Sequence, residues 1–261
     1  MSDLPPLIDT HCHLCHERLA ERIDDVLAAA RSAGVVAVIV AAGDLAEAAA
    51  ARDLARSHRD LSFIAGIHPH AAKSAAPGYL DTLRAMAAEP RFAAVGEIGL
   101  DYHYDFSPRE IQRRVFAEQL DAARQLGAGA IIHTREAFDD TLAIVGESGL
   151  EGGHIVFHSF TEDPAAARRA LDLGAMISFS GIVTFAKSQA LRQTAAIVPD
   201  DRLLIETDAP YLSPEPVRKM KTNEPANVAH VARCLAAVRG VSYDAIARQT
   251  TANARRFLDR T

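Results

Sequence analysis

The sequence predicts an α/β fold, a (β/α)8 barrel forming one domain over residues 1–261, with a doubly wound open sheet as the alternative. Two observations predict it. Short apolar runs rich in Val, Ile and Phe recur eight times, at 7–11, 35–42, 61–67, 92–98, 130–134, 154–158, 175–180 and 203–208. Each is followed by a stretch with helical spacing, and every gap is long enough for the crossover that joins two parallel strands. A chain of 261 residues with 49% hydrophobic and 24% charged residues can bury the core that such a barrel needs.

The helices follow in order. After the first run, Ile23, Val26, Leu27 and Ala30 form one apolar stripe that Gly34 closes. Asp44 with Glu47 opens the helix after the second run. After the fourth, Ser107, Pro108 and Glu110 read as N-cap, first-turn proline and capping-box glutamate. Ile111, Val115, Phe116, Leu120 and Ala123 continue that helix as a stripe, and Gly127 ends it. Asp163 before Pro164 opens the helix after the sixth run. No linker or low-complexity tract divides the chain.

Charge and cysteine usage narrow the function classes. The 28 Lys plus Arg against 34 Asp plus Glu give a formal net charge of -6, the opposite of the basic footprint of a duplex-binding protein. The apolar stretches, such as 34–43, fall short of the roughly 20 residues that a membrane span needs. The amino-terminal MSDLPPLIDTHCH has no basic segment followed by an apolar one, so a cytoplasmic location is expected. Three cysteines form no disulfide framework. The C-x-x-C-H string from Cys12 to His16 matches haem attachment only by accident, since that chemistry requires export and strand parity turns Cys12 away from His11 and His13.

Metal-ligating residue types gather at the C-terminal ends of the predicted strands: His11 and His13 on the first, Glu97 on the fourth, His133 on the fifth, His158 on the sixth and Asp208 on the eighth. In a parallel barrel that edge carries the active site. Residues two apart share a strand face, so His11 and His13 can converge on one ion. Only closure of the sheet would bring Asp208 beside them. Four imidazoles and two carboxylates exceed the ligands of one catalytic zinc, whereas two ions sharing a bridging carboxylate would use them all, with Glu97 the natural bridge. Without metal, so many titratable groups at one rim would repel one another at a desolvation cost.

The strings IDTHCHL (8–14), GIHPH (66–70), VGEIGLDY (95–102), HTREA (133–137), SFSGIVTF (178–185), ETDAPYL (206–212) and NEPANV (223–228) resemble the TatD family of metal-dependent deoxyribonucleases, within the amidohydrolase superfamily. The resemblance spans nearly the whole chain. It implies that one cation takes His11, His13, Glu97 and Asp208, and the other Glu97, His133 and His158. The chain departs from the family pattern at 159–162 and 217–222, in loops that would face substrate. No lysine stands at a strand end, which disfavours a phosphotriesterase-like site bridged by a carboxylated lysine.

The expected activity is hydrolysis of phosphodiester bonds at DNA ends, or of a small phosphodiester, by a hydroxide bridging two divalent metals, Zn, Mn or Mg. Glu97 and Asp208 are the expected catalytic carboxylates, with Asp208 also orienting and deprotonating the water. The alternative is an acyl hydrolase acting on an amide, ester or lactone, or on aminoacyl-tRNA; a metal-storing barrel is a third, non-enzymatic reading. His68, His70 and Arg135 are expected to face substrate, although Arg135 has Glu136 and Asp139 as rival ion-pair partners. Tyr102, Tyr104 and Phe106 could stack one terminal base or pack their own loop. No membrane and no protein partner are implied.

Overall fold

The computed structural model describes residues 4–259, so the first three residues of the amino-terminal stretch read above, and Arg260 and Thr261 at the end of the expected domain, lie outside the described residues. Eight strands occupy the eight apolar runs: β1 (Leu7–Cys12), β2 (Val35–Val40), β3 (Leu61–Ala65), β4 (Phe92–Asp101), β5 (Ala130–Arg135), β6 (Ile155–Phe157), β7 (Met176–Phe179) and β8 (Leu203–Ile205). They follow one another in sheet order from β1 to β8. Cys12 at the end of β1 pairs in parallel with Ala209, just beyond β8, so the first and last strands are neighbours. That closure excludes the open sheet and makes the fold a (β/α)8 barrel. All six residues of β1 are buried, as expected where strands are covered on both faces.

Every strand departs from its run by one to three residues at an end, and the two departures of three residues each have a reason in the ladder. β4 continues past residue 98 because Gly99, Leu100 and Asp101 pair with His133, Thr134 and Arg135 of β5. β8 stops at Ile205, where its partner β7 ends at Phe179.

Helix starts follow the caps with one correction. Asp44 accepts hydrogen bonds from the amides of Ala46 and Glu47, and Glu47 reaches back to the Gly43 amide, so the helix Leu45–Ser57 begins as its sequence predicts. Asp163 likewise accepts from the Ala166 amide ahead of the helix Pro164–Asp172. Gly127 ends the helix Arg109–Leu126 in the left-handed region at φ 65°. Ser107, however, does not cap that helix: Pro108 is its N-cap residue, with no side-chain bond. The Ser107 hydroxyl donates instead to the His70 carbonyl at 2.9 Å and accepts from the Lys73 amide at 3.0 Å. A tertiary partner has displaced the local one.

The contacts fall into two sets. The first comprises the segments up to Val40, His158–Leu171 and Ile177–Arg256, and the second comprises Ala41–Phe157, Asp172–Met176 and the segment from Phe257. In the first, the helix Tyr243–Leu258 is tied back by Asn253, which donates to the carbonyls of Asp200 and Leu203, and by Thr251, which donates to that of Pro6. In the second, Gln119 on the helix Arg109–Leu126 accepts from the amide of Ile67 and donates to its carbonyl, which fixes the chain just past β3. No helix of the described residues is long and apolar enough to cross a membrane.

Candidate metal centre

In the first unit the closure between β1 and β8 positions the donors. The Asp208 amide donates to the His11 carbonyl at 2.9 Å and the His13 amide to the Ala209 carbonyl at 2.7 Å. Below them the buried Asp9 carboxylate accepts from the Thr207 hydroxyl at 2.5 Å and the Thr207 amide at 2.9 Å. Thr10 donates to the Ile205 carbonyl at 3.0 Å. These bonds set Asp208 beside the histidine pair, with its Oδ1 3.6 Å from His13 Nε2 and 3.9 Å from His11 Nε2. Asp208 holds a left-handed φ of 55°, a conformation that Asp tolerates better than most residues and that recurs at functional sites. The His158 ring, beyond the end of β6, stacks on His11 with centroids 4.0 Å apart. His11, His158 and Asp208 each offer a ligand atom within 4.8 Å of the others. Burial alone would raise the Asp208 carboxyl, but the bond from His13 and the charges of His11, His13 and His158 hold it below the usual range.

In the second unit Glu97 lies within β4, with its Oε1 3.2 Å from His133 Nδ1 and 3.3 Å from His68 Nε2. These three form a second group with ligand atoms within 4.8 Å. His68 was expected to face substrate, and the structure sets it against Glu97 and His133. Its Nδ1 accepts from the His70 amide at 3.1 Å, which leaves Nε2 for the group. Burial pushes its imidazole down to about 4 against the pull of Glu97, so near neutrality the ring is uncharged and its lone pair is available to a cation.

Carboxylates that the sequence reading passed over stand behind both groups. Asp101 Oδ2 lies 3.3 Å from His133 Nε2 and 2.8 Å from His70 Nε2. Glu206, fully buried, sits with Oε1 3.2 Å from His158 Nδ1 and accepts from the Ser159 amide at 2.8 Å. A carboxylate on one ring nitrogen fixes the tautomer and leaves the other nitrogen for a metal. Position alone hinted at them, since Asp101 lies on β4 four residues past Glu97 and Glu206 two residues before Asp208, but position does not say which ring nitrogen each engages.

The remaining expected residues are also placed. Arg135 has no carboxylate partner among the described residues, and its guanidinium carbon lies 4.8 Å over the Tyr104 ring. Glu136 pairs with His103 instead. Tyr102 packs the loop, its hydroxyl donating to Asp140 at 2.7 Å. Cys12 is buried with its thiol directed at the Ala209 carbonyl, away from the donors.

A family profile described as TatD related DNase matches residues 8–259. This chain belongs to the TatD related DNase family. Among its TatD-type relatives, the metal-dependent hydrolase YcfH of Escherichia coli strain K12 is 42% identical over 250 residues, covering 95% of this chain and 93% of that one. The 3'-5' ssDNA/RNA exonuclease TatD of Klebsiella pneumoniae strain 342 is 32% identical over 253 residues, covering 95% of this chain and 96% of that one. The crystal structure of YJJV, a TatD homologue from Escherichia coli K12, superposes with a TM-score of 0.92 at 29% identity, covering 97% of this chain and 98% of that one. The TatD-type donor set fits a divalent cation: each group combines imidazole nitrogen with carboxylate oxygen, and neither contains a thiol. Such N/O sets suit Zn and Mn, and Mg where carboxylate predominates.

Proposed function

We propose that this TatD-type hydrolase is a two-metal phosphodiesterase that removes nucleotides from nucleic-acid ends in the cytoplasm. His11, His13, Glu97, His133, His158 and Asp208 would hold the two divalent cations, with Glu97 shared and His68 alongside it. The observation that supports this most directly is Asp208, held at a left-handed φ against His11 and His13 by the backbone bonds of barrel closure. When bound, a pair of divalent cations lowers the pKa of water and neutralises charge on a phosphoryl oxygen. The protein supplies the rest. Asp208, anionic and partly exposed, accepts the proton of the attacking water. Glu206 and Asp101 hold His158 and His133 in single orientations. Arg135, with no carboxylate partner among the described residues, can meet a phosphate. The exonuclease name carried by the Klebsiella relative favours a nucleic-acid substrate over an acyl one.

The test is Asp208→Asn, assayed in parallel with wild type on 3'-labelled single-stranded DNA, a bis-nitrophenyl phosphate ester and nitrophenyl acyl esters, with bound metal quantified in both proteins. Loss of a positioned base lowers phosphoester turnover about 10²- to 10⁴-fold. Undiminished turnover at full metal content would remove Asp208 from the chemistry, and wild-type turnover confined to acyl esters would replace the phosphodiester assignment.

A further inference from the structure

The turn after β4 presents two exposed rings that the metal chemistry does not use. Tyr104 and Phe106 stack on each other with centroids 5.1 Å apart and planes inclined by 17°, yet they are 47% and 54% exposed. Their turn is organised in advance. Asp101 Oδ1 accepts from the amides of His103 and Tyr104 at 2.9 and 3.0 Å. Asp105, at a left-handed φ of 50°, is held by Arg109, whose Nε and Nη2 donate to it at 2.9 and 2.7 Å. Aromatic surface kept in water on a rigid turn marks a contact site rather than packing.

What lies around the pair identifies its occupant. His70 meets Phe106 at 4.8 Å and Tyr104 at 5.4 Å between centroids, near perpendicular to both, and lies 4.4 Å from His68. Through Asp101 it is also joined to His133. The rings therefore adjoin the His68, Glu97 and His133 group through His70. On Tyr104 rests the guanidinium of Arg135, which has no carboxylate partner among the described residues. Apolar π-surface, one cation and a phosphoester-cleaving group in succession match the chemistry of a nucleotide: base, flanking phosphate, scissile bond.

We propose that Tyr104 and Phe106 form a stacking seat for one unpaired nucleobase next to the scissile phosphate, with Arg135 on a flanking phosphate. The seat rests on the phosphodiesterase reading and adds to it where the base goes: an unpaired base can leave the stack and lay a face on the rings, whereas a base inside a duplex has both faces covered by its neighbours. Two rings, in a chain with 6% aromatics and no Trp, seat one base rather than a run of them.

Single-stranded oligonucleotides carrying 2-aminopurine or an abasic residue at the terminal or penultimate position of either end test the seat. They are titrated onto the full chain, and cleaved with Mn²⁺ present, using wild type, Phe106→Ala, Phe106→Leu, Tyr104→Ala and Phe106→Trp. In wild type and Phe106→Trp, 2-aminopurine at one of these positions is quenched, and an abasic residue there raises KM about 5- to 100-fold with a smaller effect on kcat. In the alanine and leucine variants, base and abasic substrates become equivalent. Full discrimination retained by Phe106→Leu, or none in wild type, overturns the seat, as does self-association of wild type that the variants abolish. Phe106→Leu keeps the apolar volume while removing the π-face, so loss of fold does not imitate the expected result. Wild type that cleaves acyl esters and no oligonucleotide would sink the phosphodiesterase reading, and base quenching is read without turnover.

Discussion

Asp101 gathers His133, His70 and two backbone amides on one carboxylate. Burial would raise its pKa, but the bonds from His133, the Tyr104 amide and His70 outweigh burial and hold it well below the usual carboxylate range. A carboxyl depressed on folding contributes stability that is fully present above its unfolded value, about 3.9, and is lost as the pH falls through the lower folded value. Wild type is therefore expected to lose thermal stability on acidification below about pH 4 more steeply than Asp101→Asn, whose side chain does not titrate. Melting curves of the two proteins between pH 7 and 3 read the difference, and parallel slopes would show that Asp101 carries no linked proton. At this scale the positions of the residues were legible where parity and residue type coincide: each of the six residues expected as ligands stands in a group of imidazoles and carboxylates. Asp101, Glu206 and the cluster position of His68 were not legible, because each depends on which atom of a neighbouring ring is already engaged. Ser107 misled for the same reason, since its hydroxyl had a partner 37 residues away.

Among the elements, the β4–β5 ladder does most to place the second donor group, and it turns on a glycine. Gly99 has φ 139° and pairs with His133, and a Cβ built on it would collide with the His133 carbonyl oxygen. Gly127 also has a positive φ, 65°, but a Cβ there meets nothing within 4 Å. The pair separates conformational cost from steric cost. Gly127→Ala is expected to destabilise by about 1–2 kcal/mol, the penalty of a left-handed L-residue, with metal content unchanged. Gly99→Ala adds displacement of β5, so it should be destabilising by more than that and should reduce the metal bound per chain. Urea melts with metal analysis on both variants decide it: equal costs and equal metal would show that β5 yields without moving His133. The strands were readable from their apolar runs, whereas the length of β4 was not, since it is set by how far β5 can supply hydrogen-bond partners.

For the whole molecule, the eight recurring runs allow a closed barrel or an open sheet, and the Cys12–Ala209 bridge decides for closure. The barrel carries groups that could hold a cation while the chain as a whole stays acidic, at a net charge of -6. The net charge therefore gives no long-range attraction to a polyanion, and on the proposed reading what holds a nucleic-acid end is local: the cations, Arg135 and the two aromatic rings. This arrangement fixes a salt dependence. Each phosphate contact on a single strand contributes about -0.7 to the slope of log affinity against log salt, so one or two protein contacts give a slope no steeper than about -1.5. A protein that tracks many phosphates along a basic groove would show -4 or steeper, on the order of six or more contacts. Measured as kcat/KM for single-stranded DNA between about 50 and 300 mM NaCl at constant Mn²⁺, the shallow slope is expected, and Arg135→Gln should flatten it further by about 0.7. A steep slope, or one indifferent to Arg135, would mean that the strand runs over basic surface elsewhere, such as the Arg218, Lys219 and Lys221 loop. The contact would then no longer be confined to the end of the chain being cleaved.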